Sequence, residues 1–591
     1  MTEVFAAGAI PAAWPAWPRR AALLLVALGA SLPFLVPLHV EPIPTFYGEW
    51  VAAGLGLLLF AVCAVQQRRV ALPLPGILLL PGLFLIAIGV QLLLGRIHFP
   101  QQALLYALYL LLAAMAMVCG RTLAEALGCR AVMTALAVGL LLGSLWQGVP
   151  VALQLQGVFA PAIAMPLLPG RTLYGNLAQA NQLADYLYLG VVAGLYLFTT
   201  GRIGAAAATA SIGALVLMAP LTGSRSVLLY PLGLAVLGVM AWPRLRRLPA
   251  ADRLRRAGLL TLSWALLAFW LPPLLHRLLD GDSDGFRHSG VAAERLIQAM
   301  AQLGGVEARL DLWATAWRSI MERPWLGGGV GSVPLASLEF AGAAGQPVGV
   351  AEHFHQLLLQ WAAEFGLPVA LLSTLLLVVW AVRATRRQTG PEWLAAAGLL
   401  TVIGLHSLLE YPLWHAYFLW PAALLLGAFG EAHDRLRIRG VIAVALLAAV
   451  PLAVLLMHQL RVDHGRLWAA VALVPQGEQA ERIWRARIDD LLSLHRESLF
   501  SPYVNGMLVV AMDIDRDQLP AKDRLCEAAL RFSPGPGVVF KCAAIRTLAG
   551  RPDDGRRLLR QGERVFPGEA ARFRQELGEL AARFPELAAV R

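Results

Sequence analysis

The chain has 591 residues, of which 58% are hydrophobic and only 15% charged, with a formal net charge of +11, whereas an ordinary soluble chain is about 25% charged. This composition excludes a single water-soluble domain. The arginines fall between apolar runs, so membrane topology accounts for the basic balance and sets aside a nucleic-acid partner.

Apolar runs near the ~20 residues needed to cross hydrocarbon recur from Ala21 to about His458. Their length and Leu/Ala content predict helices, since barrel strands would alternate and be about half as long. About thirteen spans follow, at 21–38, 50–65, 75–94, 103–120, 131–149, 183–199, 204–219, 226–242, 257–275, 357–382, 393–409, 414–430 and 440–458. The predicted class is therefore all-α, a polytopic transmembrane helical bundle. The first run resembles a signal peptide but shows no clear small-residue cleavage site, so it is kept as the first span.

Every second loop is loaded with arginine: Arg19 and Arg20, Arg68 and Arg69, Arg121 and Arg130, Arg202, the set from Arg244 to Arg256, Arg383 to Arg387, and Arg435 to Arg439. The alternate short loops carry only Arg96, Arg171 and Arg225. The positive-inside rule then places residues 1–20 in the cytoplasm and, after an odd number of spans, the tail outside. A transmembrane domain over 21–458 and a periplasmic helical domain over 459–591 are the expected parts.

Two outer segments, 150–182 and 276–356, are too long for simple turns, and loops of that size are usually functional. The second carries an expected amphipathic helix from Ala292 to Met321, whose stripe of Leu296, Met300, Leu303, Leu310, Trp313, Trp317 and Ile320 suits the membrane interface. Glu322-Arg323-Pro324 and the run Gly327-Gly328-Gly329 mark its end.

The tail turns rich in arginine and acidic residues, with no run long enough to span. Phe540 to Leu548, the turn Gly550 to Asp554, and Arg556 to Phe566 before Pro567 read as helix, turn, helix and stop. This resembles one tetratricopeptide-like pair, with Asp523 to Phe532 as a partner; a protein-binding repeat and a plain helical cap both stay open. Cys63, Cys119 and Cys129 lack metal-ligand spacing and read as inert. Cys526 and Cys542 lie sixteen apart in the tail, where an oxidising periplasm permits either a disulfide or two separate packed thiols.

Ionisable residues at or near a span are expensive to keep and so are candidates for function. Four groups stand on the outer side. Thr222-Gly223-Ser224-Arg225-Ser226 sets a guanidinium at the membrane surface, suited to a phosphate or to snorkelling toward headgroups. Arg309 with Asp311 and Trp313 precedes the glycine run, which lacks the lysine and hydroxyl of a phosphate-binding loop. Two arginines on one diphosphate would hold it bidentately and stabilise it as a leaving group.

The third group is Glu352-His353-Phe354-His355-Gln356, with Glu364 beyond it. A histidine titrating near neutrality can draw a proton from an attacking hydroxyl. His353 and His355 would face apart on a helix and lack further metal ligands, so no metal is expected. Glu364 lies too far along for contact with His355 and is expected to pack among helices. The fourth group runs from His406-Ser407 through Glu410-Tyr411-Pro412-Leu413-Trp414, with His406 and Glu410 spaced for one helical face. That pair either orients a substrate or holds two spans together.

In their order and sidedness these residues resemble the bacterial O-oligosaccharyltransferases of protein and pilin glycosylation, within the superfamily of O-antigen ligases and polymerases. The shared features are Ser224-Arg225, the segment from Arg309 to Gly331, and His355 with Leu359, Glu364 and Gly366. Narrower features are Pro42 to Trp50, Gly175-Asn176-Leu177-Ala178-Gln179-Ala180-Asn181-Gln182, and His406 to Trp414. The family pattern has His-Asn where this chain has His355-Gln356, and proline at Ala180.

The resemblance implies a glycosyltransferase that moves a glycan from undecaprenyl diphosphate onto Ser or Thr of an exported, pilin-like protein at the periplasmic face of the inner membrane, without metal or nucleotide. His355 would be the general base and Arg225 with Arg309 the diphosphate pair. His353, Glu364, His406, Glu410, Tyr411, Asn176, Gln179 and Asn181 would support them. A lipid A core sugar or another repeat unit are the alternative acceptors. A transporter of the same lipid would instead show symmetric repeats and charges near the bilayer midplane, and neither is visible.

Overall fold

The computed structural model describes residues 14–67, 71–169, 171–246, 251–253, 255–264, 267, 304–340, 349–438, 440–471 and 480–590. Helices dominate, as expected. The strands among the described residues are Leu72–Pro75 and Ala432–Ile438, an antiparallel pair with Leu72 opposite Ile438. Eight helices among the described residues are long and apolar enough to cross a membrane: Ala16–Leu35, Phe46–Gln67, Gly76–Leu93, Pro100–Leu127, Cys129–Leu155, Ala205–Thr222, Ser226–Pro243 and Leu367–Arg387. The runs expected at 183–199, 393–409, 414–430 and 440–458 coincide with the helices Ala180–Thr199, Pro391–Ser407, Ala416–Ala428 and Gly440–Val471. The run at 257–275 lies mostly outside the described residues.

One expected span is divided. The 357–382 run breaks into Leu357–Phe365 and Leu367–Arg387 because Gly366 adopts φ +85°, with the Trp325 carbonyl where a Cβ would stand. The amphipathic helix expected over 292–321 is Gly304–Glu322, its first part lying outside the described residues.

The chain forms two compact units. The first comprises Met1–Pro81, Leu111–Ala301 and Leu375–Leu455; the second comprises Gly82–Leu110, Gln302–Thr374 and Leu456–Arg591. In the first, lipid supplies no hydrophobic drive between helices, so close backbone approach at small residues takes over. Gly120 faces the Leu424 carbonyl and Gly427 the Met117 carbonyl, so a side chain at either would part the two helices. Phe34 stacks on Tyr186 at 3.9 Å between ring centroids, and the Tyr186 hydroxyl donates to the Ala30 carbonyl at 3.0 Å. Such pairs add about 0.5–1.5 kcal/mol beyond burial.

In the second unit, the helices Leu519–Phe532, Pro536–Leu548 and Pro552–Val565 fall where the tail's helical pattern placed them. A disulfide joins Cys526 to Cys542 across the first two, with Cα atoms 5.4 Å apart. Val539, Phe540, Ile545, Leu558, Leu559 and Phe573 form the core, and the rings of Phe540 and Phe573 stack. The Gly440–Val471 helix continues through residue 459 without a break.

Candidate functional site

The histidine segment of the second unit is a bend and not a helix. Phe354 is fully buried in a core with Leu312, Ala316, Ile320, Val333, Ala336, Ala362 and Ala363. Its backbone N–H donates to Gln360 Oε1 at 2.9 Å. His355 takes φ +50°, a left-handed conformation that is uncommon for a residue with a Cβ. The two imidazoles meet edge to face, with centroids 4.1 Å apart. The expectation that His353 and His355 face apart is therefore corrected, because helical geometry does not apply to a bend pinned by the ring between them. Gln356 begins the Leu357–Phe365 helix, and its side-chain oxygen accepts from Leu359 N at 2.6 Å. The Gln356 amide thus serves as an N-cap.

Glu364 is buried at the far end of that helix, 1% exposed. Its Oε1 accepts from Gly331 N at 2.8 Å, and it precedes the Leu367–Arg387 span. Burial pushes its carboxyl up to about 7, against the hydrogen bond from Gly331. The glycine run lies across the helix end: Gly328 N donates to the Ala363 carbonyl at 2.8 Å and Gly329 N to the Glu364 carbonyl at 3.1 Å. Gly327, at φ +68°, faces the Glu364 carbonyl so closely that a Cβ has no room. Gln91 Nε2 donates to the carbonyls of Leu326 at 2.8 Å and Glu364 at 2.7 Å. Glu364 and the glycines therefore hold the fold of the loop.

Arg309 stands on the Gly304–Glu322 helix, half-buried. Leu312, one turn further on, shares its core with Phe354, so the arginine's helix and the histidine bend are built on the same apolar cluster.

Arg225, in the first unit, immediately precedes the Ser226–Leu245 helix. Gly223 at φ +68° ends the preceding turn, and Thr222 Oγ1 accepts from Ser224 N at 3.1 Å. Among the described residues, no hydrogen-bond partner faces the buried Ser224 hydroxyl. A half-buried guanidinium beside the positive end of a helix dipole suits an anion.

The fourth group differs from its expected geometry. The helix Pro391–Ser407 ends before Glu410, so the two do not form an i, i+4 helical pair, although Glu410 N donates to the His406 carbonyl at 2.7 Å. His406 Nδ1 lies 2.8 Å from Asp185 Oδ2, with both side chains essentially inaccessible. This pair ties Pro391–Ser407 to Ala180–Thr199, the structural alternative. Glu410 Oε1 instead accepts from Asn181 Nδ2 at 2.8 Å. Tyr411 lies 5.6 Å from the His415 ring. His415 Nδ1 sits 2.9 Å from Glu49 Oε1 and its Nε2 2.8 Å from Gln182 Nε2.

Asn176 is engaged throughout. Its Nδ2 donates to the carbonyls of Leu35 at 3.1 Å and Ile163 at 2.9 Å, while its Oδ1 accepts from Met165 N at 3.0 Å. Gln179 occupies the N-cap position of Ala180–Thr199 without a side-chain cap.

Sequence reasoning passed over Gln91, Gln147, Gln154 and Asp185, and took Glu49 only as part of the Pro42 to Trp50 motif. Gln154 Nε2 reaches the Met165 and Gly175 carbonyls, both at 2.9 Å, and Gln147 Nε2 reaches the Phe34 carbonyl at 2.7 Å. The signal was present in each case: an isolated amide or carboxyl inside an apolar run must have a partner.

Three family models match the chain. "Protein glycosylation ligase" matches residues 173–198, "O-Antigen ligase" matches 210–374, and "Virulence factor membrane-bound polymerase, C-terminal" matches 394–579. A curated relative, the "General O-oligosaccharyltransferase" of Acinetobacter baylyi, is 27% identical over 410 residues, covering 68% of this chain and 69% of that protein. The O-antigen ligase match contains Arg225, Arg309, His355 and Glu364 together, and the glycosylation ligase match contains Asn176 to Gln182. By these similarities the chain resembles membrane glycosyltransferases of the O-antigen ligase, protein glycosylation ligase and general O-oligosaccharyltransferase kinds.

Proposed function

We propose that the protein transfers an oligosaccharide en bloc from undecaprenyl diphosphate to Ser or Thr of an exported, pilin-like protein at the periplasmic face of the inner membrane. The observation that supports this best is the histidine bend, in which His355 takes a left-handed conformation next to Phe354, whose core includes the helix of Arg309.

In the proposed step the acceptor hydroxyl oxygen bonds to the anomeric carbon, and the bond from that carbon to the diphosphate oxygen breaks. The electron pair leaves with the diphosphate, and His355 takes the hydroxyl proton. Displacement in one step inverts the anomeric centre. Arg309 and Arg225 neutralise charge on the leaving group, which lowers the barrier where that charge develops. The donor arrives activated, so the step calls for neither metal nor nucleotide. The matches to an O-antigen ligase and to a membrane-bound polymerase support a second reading, with a lipid A core sugar or another repeat unit as acceptor.

The test is incubation of the purified protein with lipid-linked glycan and each acceptor class. Glycan on the pilin-like protein supports the first reading, and transfer only to lipid A core or to a second repeat unit supports the other. Full activity of well-folded Arg309→Ala and His355→Ala variants would remove the proposed roles of these residues.

A further inference from the structure

The helix Val333–Phe340 belongs to two cores at once. Leu338, 2% exposed, is part of the core of the C-terminal helices with Val509, Cys526, Val539 and Phe540, and Val350 on the returning chain packs against it. Arg564, on Pro552–Val565, donates through Nη2 to the Glu339 carbonyl at 2.9 Å. Val333 and Ala336 of the same helix belong instead to the core that buries Phe354. Ser337 Oγ accepts from Ala351 N at 3.1 Å, fixing the returning chain two residues before His353.

We propose that the C-terminal helices are a clamp that sets the position of His355, acting through Val333–Phe340, with Leu338 and Ser337 as positioning residues. The physical reason is that His355 sits in a left-handed backbone state, which persists only where its surroundings over-determine it. Phe354 fixes one side of the bend, and the chain leading into it is held by Ala351 and Val350. Removing either hold lets the imidazole wander, and a displacement of about 1 Å lowers rate by up to about 100-fold. The C-terminal helices then belong to the catalytic apparatus and are more than an appended partner-binding module. This inference rests on the reading of His355 as the base.

The test uses full-length protein in lipid nanodiscs, with Leu338→Ala, Ser337→Ala and, as a control, Leu123→Ala, which removes the same bulk from a buried position of the first unit. The expected result for the first two is a fall in kcat of about 10-fold or more, an unchanged KM for the lipid-linked donor and faster amide exchange over 349–356. Leu123→Ala leaves kcat and exchange over 349–356 unchanged. Wild-type kcat and exchange in both Leu338→Ala and Ser337→Ala overturn the clamp. If Leu338→Ala does not fold, Ser337→Ala decides alone. If His355→Ala proves fully active, the reading of the site falls, and exchange over 349–356 still decides the clamp.

Discussion

Two histidine pairings, one in each unit, show how the same residue type is put to different uses. His406 and Asp185 lie on neighbouring helices with nearly every atom inaccessible. His353 and His355 lie on a bend, half-buried, ring against ring, around a phenylalanine that carries the burial. In the first pairing a polar contact is sealed inside an apolar bundle and holds two helices together. In the second the apolar work is done by Phe354, and the two imidazoles are only half-buried. The sites differ less in composition than in which side chain is buried.

The largest break to this comparison comes from His355→Ala. Loss of a general base lowers kcat by about 100-fold to 10,000-fold, with little change in thermal stability, read by transfer assay and scanning fluorimetry on one preparation. His406→Leu should behave in the opposite sense. It strands a buried Asp185 carboxyl, lowering stability by about 3 kcal/mol, while folded enzyme keeps most of its kcat; denaturant midpoints beside specific activity check this. Equal losses of activity without loss of stability at both positions would erase the distinction drawn here.

Glu364→Gln sharpens the structural side. The folded protein holds the Glu364 proton up to about pH 7, whereas an unfolded carboxyl releases it near 4.3. Between those values the native state binds more protons, so the wild-type protein loses stability as pH rises. Glutamine retains an acceptor for Gly331 N and has no proton to lose. The variant's melting temperature is therefore expected to exceed the wild-type value increasingly from pH 6 to pH 8, and a constant difference would count against the buried-acid account. Asn181→Ala, which removes the bond to Glu410, gives the smallest effect, about 1 kcal/mol of stability, measured by denaturant titration.

Helix placement was legible because Leu/Ala runs leave the backbone few alternatives in lipid, and the tail helices were legible from turn residues at Gly550 to Asp554. Arg225, Arg309 and His355 could be selected by residue type and motif order. The local geometry was not legible where it depended on distant backbone. The break at Gly366 arises from the Trp325 carbonyl, and the bend at His355 depends on Phe354 reaching a core that includes Leu312. The spacing of His406 and Glu410 suggested one helical face, but the helix ended three residues earlier than that reading needs. Buried glutamines such as Gln91 are visible as amides inside apolar runs, but their partners are main-chain carbonyls, which leave no trace in side-chain motifs.

The crossing of the glycine run over the end of Leu357–Phe365 has a consequence for how variation should be read at this locus. The bonds there join main chain to main chain, from Gly328 to Ala363, Gly329 to Glu364 and Leu367 to Pro324, and they are indifferent to what side chains the neighbours carry. A saturation library would register vetoes at Gly327 and Gly366, where any β-carbon collides, beside permissive positions such as the exposed Trp325. Such a profile is a fingerprint of missing atoms, and a comparison scored on chemical similarity would pass over it.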